Sequence, residues 1–413
     1  MKTFDFENFD YEKAKKEVKD FIKKPNILLC GATGVGKSSL VNDLFNLSVE
    51  DANAATVGKS GRPETVGIKR YTSDESTINL YDSEGYEIGK VDQNEKDRYY
   101  TEVISYIDKL RKENPAKMEE HIHEVWYCVS AGNKRFYEVD KNIINEVKKR
   151  NVPIMVLLTK VDCVEVEELE QLIAEIRNQV QGVNIYTYST EIDKSDEETY
   201  DMYVQKKEIV RWALNNLDAT LQLGLLPAVK GCLKEKRETI LRVCVPTYVA
   251  MAAAAVVTTS FIPVPFSDSV PLMGIQVKMA MSIFEAFNIK ASVENVVSDL
   301  VGTTFISYIG KTLAAQIVSW IPGIGAIAKT AVNTSVAASV TAMLGAGITV
   351  IAEQYLVACV NCGGAENLPF ADFLTKDRFV EIMDYVQKNK DEFGIDYMIS
   401  MALKKINKRT DKK

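Results

Sequence analysis

Apolar and polar positions alternate along this chain in two different rhythms. Residues 4–24 place Phe4, Phe9, Ala14, Val18, Phe21 and Ile22 among Lys and Glu at helical spacing, which predicts an amphipathic leading helix that Pro25 ends. Short, mainly apolar runs follow at 26–30, 78–81, 124–130 and 154–159, and these read as buried strands. Between them lie charged helical patterns at 97–111, 139–149 and 165–179. Strands alternating with helices predict a mainly parallel sheet with helices on both faces, occupying residues 25–218.

Beyond residue 218 the pattern changes. Residues 243–371 hold only ten charged side chains, six acidic and four basic, and 243–267, 312–328 and 330–352 hold none. Ala, Gly, Val, Ile, Ser and Thr dominate. Two readings stay open: a tight helical bundle with small residues at its contacts, or membrane insertion, since about 20 apolar residues span a bilayer. Pro246 interrupts the first run, and Thr330, Asn333, Thr334 and Ser335 dilute the last. The expectation is a helical domain over 219–413, mainly soluble but able to touch a membrane peripherally. The organisation is then a leading helix at 1–24, an α/β domain at 25–218 and an all-α domain at 219–413.

Composition and charge sharpen this. With 413 residues, 46% hydrophobic and 26% charged, the chain is globular rather than disordered. The net charge of −7 is uneven: residues 219–413 carry 19 Lys+Arg against 16 Asp+Glu, leaving 31 against 41 in residues 1–218. An acidic front half argues against a nucleic-acid surface there. Seven scattered cysteines, including the lone pair Cys359 and Cys362, with no secretory leader pattern at the start, predict a reducing, cytoplasmic setting. His121 and His123 are too few for a histidine-rich metal site.

The chemistry lies at Gly31-Ala32-Thr33-Gly34-Val35-Gly36-Lys37-Ser38, a full GxxxxGKS between an apolar strand and the helical stretch that starts at Ser39. Glycines let the backbone wrap so that N–H groups of Gly31, Thr33, Gly34, Val35, Gly36 and Ser39 can face phosphate oxygens. Lys37 supplies a point charge to the outer phosphates, and the Ser38 hydroxyl can ligate Mg2+. Thr159-Lys160-Val161-Asp162 follows the strand at 154–158. The Asp162 carboxylate can accept two hydrogen bonds from guanine, where adenine offers neither donor. An ATP-binding alternative therefore fits less well.

With these two motifs the chain resembles the Ras-like GTPase superfamily, whose TKxD or NKxD motif stands at this place. The resemblance implies a Mg2+-dependent protein that binds GTP and GDP, and it extends to Asp82-Ser83-Glu84-Gly85, which matches DxxG. There Asp82 would hold Mg2+ through water and Gly85 would meet the terminal phosphate. A switch threonine is implied between the two motifs: Thr65, ahead of Thr56 and Thr72. Ser189 fits the last guanine contact. Lys37, Thr65 and Gly85 would form the catalytic set. Tyr86 stands where Ras has its water-orienting glutamine, as in the Era, dynamin and septin relatives, and Gly34 stands where some of these hold a potassium-binding asparagine. Slow, potassium-independent hydrolysis is implied, with a homodimer across the nucleotide face and Arg62, Lys134 or Arg135 reaching in trans. A scaffold that binds nucleotide and scarcely turns it over is the runner-up.

More narrowly, Gly31–Phe45 resembles the Era-like and immunity-related GTPases, and Val125-Trp126-Tyr127-Cys128 with downstream Arg135 resembles a bacterial Era-like subgroup. The stretch from Phe261 to Gly325 resembles a GTPase-associated family of unknown function found at membranes.

Overall fold

A computed structural model describes residues 9–45, 67–71, 76–86, 93–192, 197–259, 270–289, 329–364 and 368–410. They fall into two compact units: residues 23–232, and the described residues up to Ile22 together with those from Leu233 onward. Helix α1 (Tyr11–Phe21) thus belongs with the C-terminal helices, not to a segment of its own.

The first unit is built on six strands: β1 (Asn26–Cys30), β2 (Ile68–Tyr71), β3 (Asn79–Ser83), β4 (Glu124–Ser130), β5 (Ile154–Thr159) and β6 (Asn184–Tyr188), in the spatial order β2-β3-β1-β4-β5-β6. Every position of β1, β4 and β5 is buried, as a parallel sheet covered on both faces requires. Only β2 runs antiparallel, against β3. Its sequence, Ile68-Lys69-Arg70-Tyr71, has no apolar run to announce it. At the sheet's edge, charged side chains can face water.

Helices α2 (Lys37–Leu44), α3 (Gln93–Glu113), α4 (Glu138–Lys149), α5 (Val166–Gln179), α6 (Glu197–Tyr203), α7 (Lys206–Asn216) and α8 (Ala219–Ala228) complete this unit. The apolar α8 has no polar face, and its residues Leu221–Ala228 are all buried. Lys23 N–H donates to Thr220 C=O at 3.2 Å, and Lys230 N–H to Leu44 C=O at 2.9 Å. A Cβ on Gly224 would collide with the Lys23 carbonyl. These contacts carry the unit to Cys232, beyond the composition change at 218 that the sequence suggested.

The opposite end of the sheet absorbs both histidines. Asn26 N–H donates to His123 Nδ1 at 2.8 Å, and the Asn26 amide donates to the carbonyls of Glu119 and His121 at 2.9 and 2.7 Å. Asn79 in turn donates to Asn26 Oδ1 at 2.7 Å. Burial lowers the His123 pKa to about 4, so the ring is neutral and can accept.

The second unit centres on a long helix, α12 (Lys329–Asn361). Around it lie α9 (Leu233–Thr239), α10 (Val245–Thr259), α11 (Val270–Ala286), α14 (Lys376–Lys388) and α15 (Ile395–Thr410), with the short α13 (Phe370–Phe373) before α14. A π-helical turn at Ile240–Cys244 joins α9 to α10, so the chain passes Pro246 without breaking the helix. Small residues set the spacing: a Cβ on Gly345 would lie 2.6 Å from Val245 Cγ1, and one on Gly347 would collide with Met383 Sδ. Phe21 of α1 meets Tyr248 edge-on at 6.2 Å, and Glu17 pairs with Lys278.

Among the described residues, two helical stretches are long and apolar enough to cross a membrane, Leu233–Val256 and Thr334–Asn361. In the second, 94% of the most apolar window is buried among the other helices, against 44% in the first. Burial of this kind is what the bundle reading requires of α12. Two of its polar side chains find partners inside: Thr349 donates to Gly345 C=O at 2.7 Å, and Gln276 donates to Thr341 Oγ1 at 3.2 Å, whereas the buried Ser339 Oγ has none. The uncharged run at 312–328 lies outside the described residues.

Candidate functional site

Register brings the motifs together. Parallel pairing aligns Leu29 with Asp82, Cys30 with Tyr127, Ser130 with Thr159, and Thr159 with Tyr188. The carboxyl ends of five strands therefore share one edge, and the segments beginning at Gly31, Glu84, Ala131, Lys160 and Ser189 all emerge there. In open α/β sheets that edge is where ligands bind.

The loop from Gly31 to Lys37 adopts three positive-φ glycines, Gly31 (132°), Gly34 (74°) and Gly36 (98°). At Gly31 the demand is steric as well, since a Cβ would run into the Cys128 carbonyl. The loop opens directly into α2, whose first turn presents unpaired N–H groups and the positive end of the helix dipole. Lys37 is buried, and its Nζ donates to the carbonyls of Gly31 and Ala32 at 3.1 and 3.2 Å. Ser38 and Ser39, one residue further, are exposed at the same helix start.

Asp82, next to last in β3, lies beside this loop. Its Oδ1 is buried and accepts no hydrogen bond. Burial pushes the Asp82 pKa up to about 6, against the pull of the Lys37 and Lys69 ammonium groups. A buried carboxylate oxygen left without a donor suits a cation better than a neutral core. Gly85, at φ 81°, presses on the phosphate loop: a Cβ there would stand 2.7 Å from both Gly31 O and Thr33 N.

The second motif closes over the first. Thr159 Oγ1 donates to Val35 C=O at 2.5 Å, and Lys160, itself at φ 55°, donates from Nζ to Gly34 C=O at 2.7 Å. Asp162 lies exposed at the edge and accepts from the Ser189 hydroxyl and, at 3.2 Å, from Cys163 Sγ. Desolvation raises its pKa, yet Ser189, Cys163, its own N–H and Lys160 together leave it below the ordinary carboxylate value. It is an anion, with acceptor capacity left over. Ser189 is buried and also accepts from Glu191 N–H at 3.1 Å.

Other expected residues part company. Thr65, Thr56, Thr72 and Arg62 lie outside the described residues. Lys134 is committed to Glu168 at 2.5 Å, whereas Arg135 is exposed on the turn after β4. Cys359 is buried and Cys362 exposed, and all seven cysteines are free thiols.

Two residues of this edge, Tyr99 and Asp140, had no signal in the sequence. Tyr99, from the middle of the charged α3, bridges the Gly31 N–H at 2.8 Å and the Ser83 hydroxyl at 2.8 Å. Asp140 on α4 accepts from the phenols of Tyr86 at 2.7 Å and Tyr127 at 2.6 Å. A buried Asp in a charged helical pattern looks like any surface residue until its neighbours are known.

Comparison with known proteins agrees with this geometry. Residues 23–219 match the septin family. Septin-8 of Xenopus tropicalis is 29% identical over 183 residues, covering 41% of this chain and 42% of its own length. Septin-10 of Mus musculus is 27% identical over 181 residues, covering 41% of this chain and 39% of its own. The chain thus matches well under half the length of these relatives. A probable GTP-binding protein engB of known crystal structure is 14% identical, covers 46% of this chain and 97% of its own, and superposes with a TM-score of 0.32. These comparisons support the P-loop GTPase superfamily and not the narrower bacterial Era-like placement. The strand order, the phosphate loop and the septin match make residues 23–219 a P-loop domain of the GTPase fold, followed by a helical region.

Proposed function

We propose that this chain binds guanine nucleotide at the edge formed by residues 31–38, 82–85, 159–162 and 189, and hydrolyses GTP slowly to GDP and phosphate. One observation carries the reading: Asp162, anionic and oriented by Ser189, stands on the same sheet edge as the phosphate loop that Lys160 clasps. In this reading the N–H groups of Gly34, Val35, Gly36 and Ser39 face the phosphates, while those of Gly31 and Thr33, expected there too, are held by Tyr99 Oη and Tyr86 C=O. Lys37 leaves the loop carbonyls for the outer phosphates, and Thr159 braces the loop. Asp162 accepts from the guanine N1–H and 2-amino group, and the Ser189 backbone N–H meets O6.

Ser38 and Asp82, with Thr65 as a third group, would hold Mg2+; when bound, the ion would offset charge on the phosphate oxygens. Gly85 offers its N–H to the terminal phosphate. Turnover is slow because the residue after Gly85 is Tyr86, whose phenol is already spent on Asp140 and cannot orient a water. The same observation favours a second reading, a scaffold that binds GTP for assembly. Single-turnover hydrolysis measured across protein concentration separates the two, since a homodimer through the nucleotide face would raise specific activity, with the exposed Arg135 reaching in trans. A cytoplasmic protein with peripheral membrane contact through its helical unit is part of the same proposal.

The decisive experiment is Asp162→Asn. An amide can donate where the carboxylate only accepted, so the variant should exchange guanine for xanthine nucleotides. GTP still outcompeting XTP in that variant removes Asp162 as the base reader.

A further inference from the structure

Residues 84–86 are fastened from two sides. On one side Thr33 N–H donates to Tyr86 C=O at 2.9 Å, Thr33 Oγ1 donates to Glu84 C=O at 3.2 Å, and Gly85 lies in contact with Gly31 and Thr33. This side is the phosphate loop. On the other side the Tyr86 side chain, 2% exposed, runs inward and donates to Asp140 Oδ1.

Asp140 is itself 2% exposed and collects three donors: the Tyr86 and Tyr127 phenols on Oδ1 and the Tyr137 N–H on Oδ2 at 2.9 Å. Such bonds to a carboxylate are about twice as strong as neutral ones. The Tyr86 ring is also enclosed by Tyr99 at 5.4 Å and by Tyr137 edge-on at 6.2 Å. The strap over the phosphate loop is therefore tied, through one phenol, to the start of α4.

We propose that Asp140 is a positioning residue that holds residues 84–86 across the phosphate loop through the Tyr86 hydroxyl, and thereby sets the preference for a nucleoside triphosphate over a diphosphate. The inference rests on the guanine-nucleotide reading above. A diphosphate ends short of Gly85, while a triphosphate puts its terminal phosphate there. Holding the strap in place removes an ordering cost that only the triphosphate would otherwise meet. Tyr127 supplies the internal control, because it bonds the same Asp140 oxygen from β4 and has no covalent link to the strap.

The test uses the full chain with Mg2+. Affinities for GDP and for a non-hydrolysable GTP analogue are measured by titration calorimetry, alongside melting temperature, for the wild type, Tyr86→Phe, Tyr127→Phe and Asp140→Asn. Tyr86→Phe should lower the triphosphate-to-diphosphate affinity ratio roughly 10- to 150-fold, the range of one hydrogen bond to a charged group, with GDP affinity unchanged. Asp140→Asn, which keeps an acceptor but not the charge, should move the ratio the same way by a smaller factor. Tyr127→Phe should lower the melting temperature yet leave the ratio alone. An unchanged or raised ratio in Tyr86→Phe, or an equal fall in Tyr127→Phe, overturns the positioning role while leaving the nucleotide site standing. A wild-type chain that binds neither nucleotide overturns the site and the strap together.

Discussion

Lys37 is the residue on which the phosphate site turns, and its ammonium group lies across the loop carbonyls of Gly31 and Ala32. Lys37→Ala removes the one cation inside the loop. It should weaken Mg2+–GTP binding by about 100-fold or more, on the order of 3 kcal/mol, with native circular dichroism. Wild-type affinity in a folded variant would show that the charge lies elsewhere. At the far end of the sheet, His123 offers a pH test. Its folded pKa of about 4 lies below the ordinary value near 6.5. Between those values the unfolded chain binds the extra proton, so the stability His123 contributes is present above about pH 6.5 and lost as pH falls toward 4. His123→Asn keeps an acceptor for Asn26 N–H without a titrating ring. The melting-temperature gap between wild type and variant should therefore shift in the variant's favour from pH 7.5 to pH 5; a gap independent of pH would mean that His123 charges freely in the fold.

At the scale of elements, mainly apolar runs marked β1, β4 and β5, because strands buried on both faces carry apolar side chains along most of their length and polar ones only near their ends. The edge strand β2 was illegible for the converse reason: Lys69 and Arg70 sit in a strand with water on one side. Helix α12 shows another ambiguity. A small-residue helix that fits inside a bundle has the composition of one that fits inside lipid, and neighbours rather than hydropathy separate them. Gly345→Val tests the packing. With Val245 and Met279 already at contact distance, the added side chain should destabilise the chain by about 1–3 kcal/mol, read as a lower melting temperature. No loss of stability would mean that α10 and α12 are not held at this spacing.

For the whole molecule, the expectations concern turnover and location. Hydrolysis should be slow and indifferent to replacing potassium with sodium, since Gly34 offers no side chain to hold a monovalent ion. Fast, concentration-independent turnover would reveal a water-orienting group other than Tyr86. The full chain bound to liposomes should be released by alkaline carbonate, because the window within α12 is already 94% buried by protein. Retention in the membrane pellet would mean that α12 exchanges its helical neighbours for lipid. What the sequence determined alone is local: the glycine spacing of the phosphate loop, the strand that precedes it, the DxxG and TKxD turns, and the apolar periodicity of the helices. These depend on backbone freedom and burial period, which neighbouring residues specify. Only the tertiary structure decided that Ser189 meets Asp162, that α1 packs with helices more than two hundred residues later, that α8 closes the sheet unit, and that Asp140 gathers Tyr86 and Tyr127. Each of these is a pairing between residues far apart in the chain. Which partner a polar or amphipathic side chain takes follows from register and packing, and the side chain's own identity leaves that choice open.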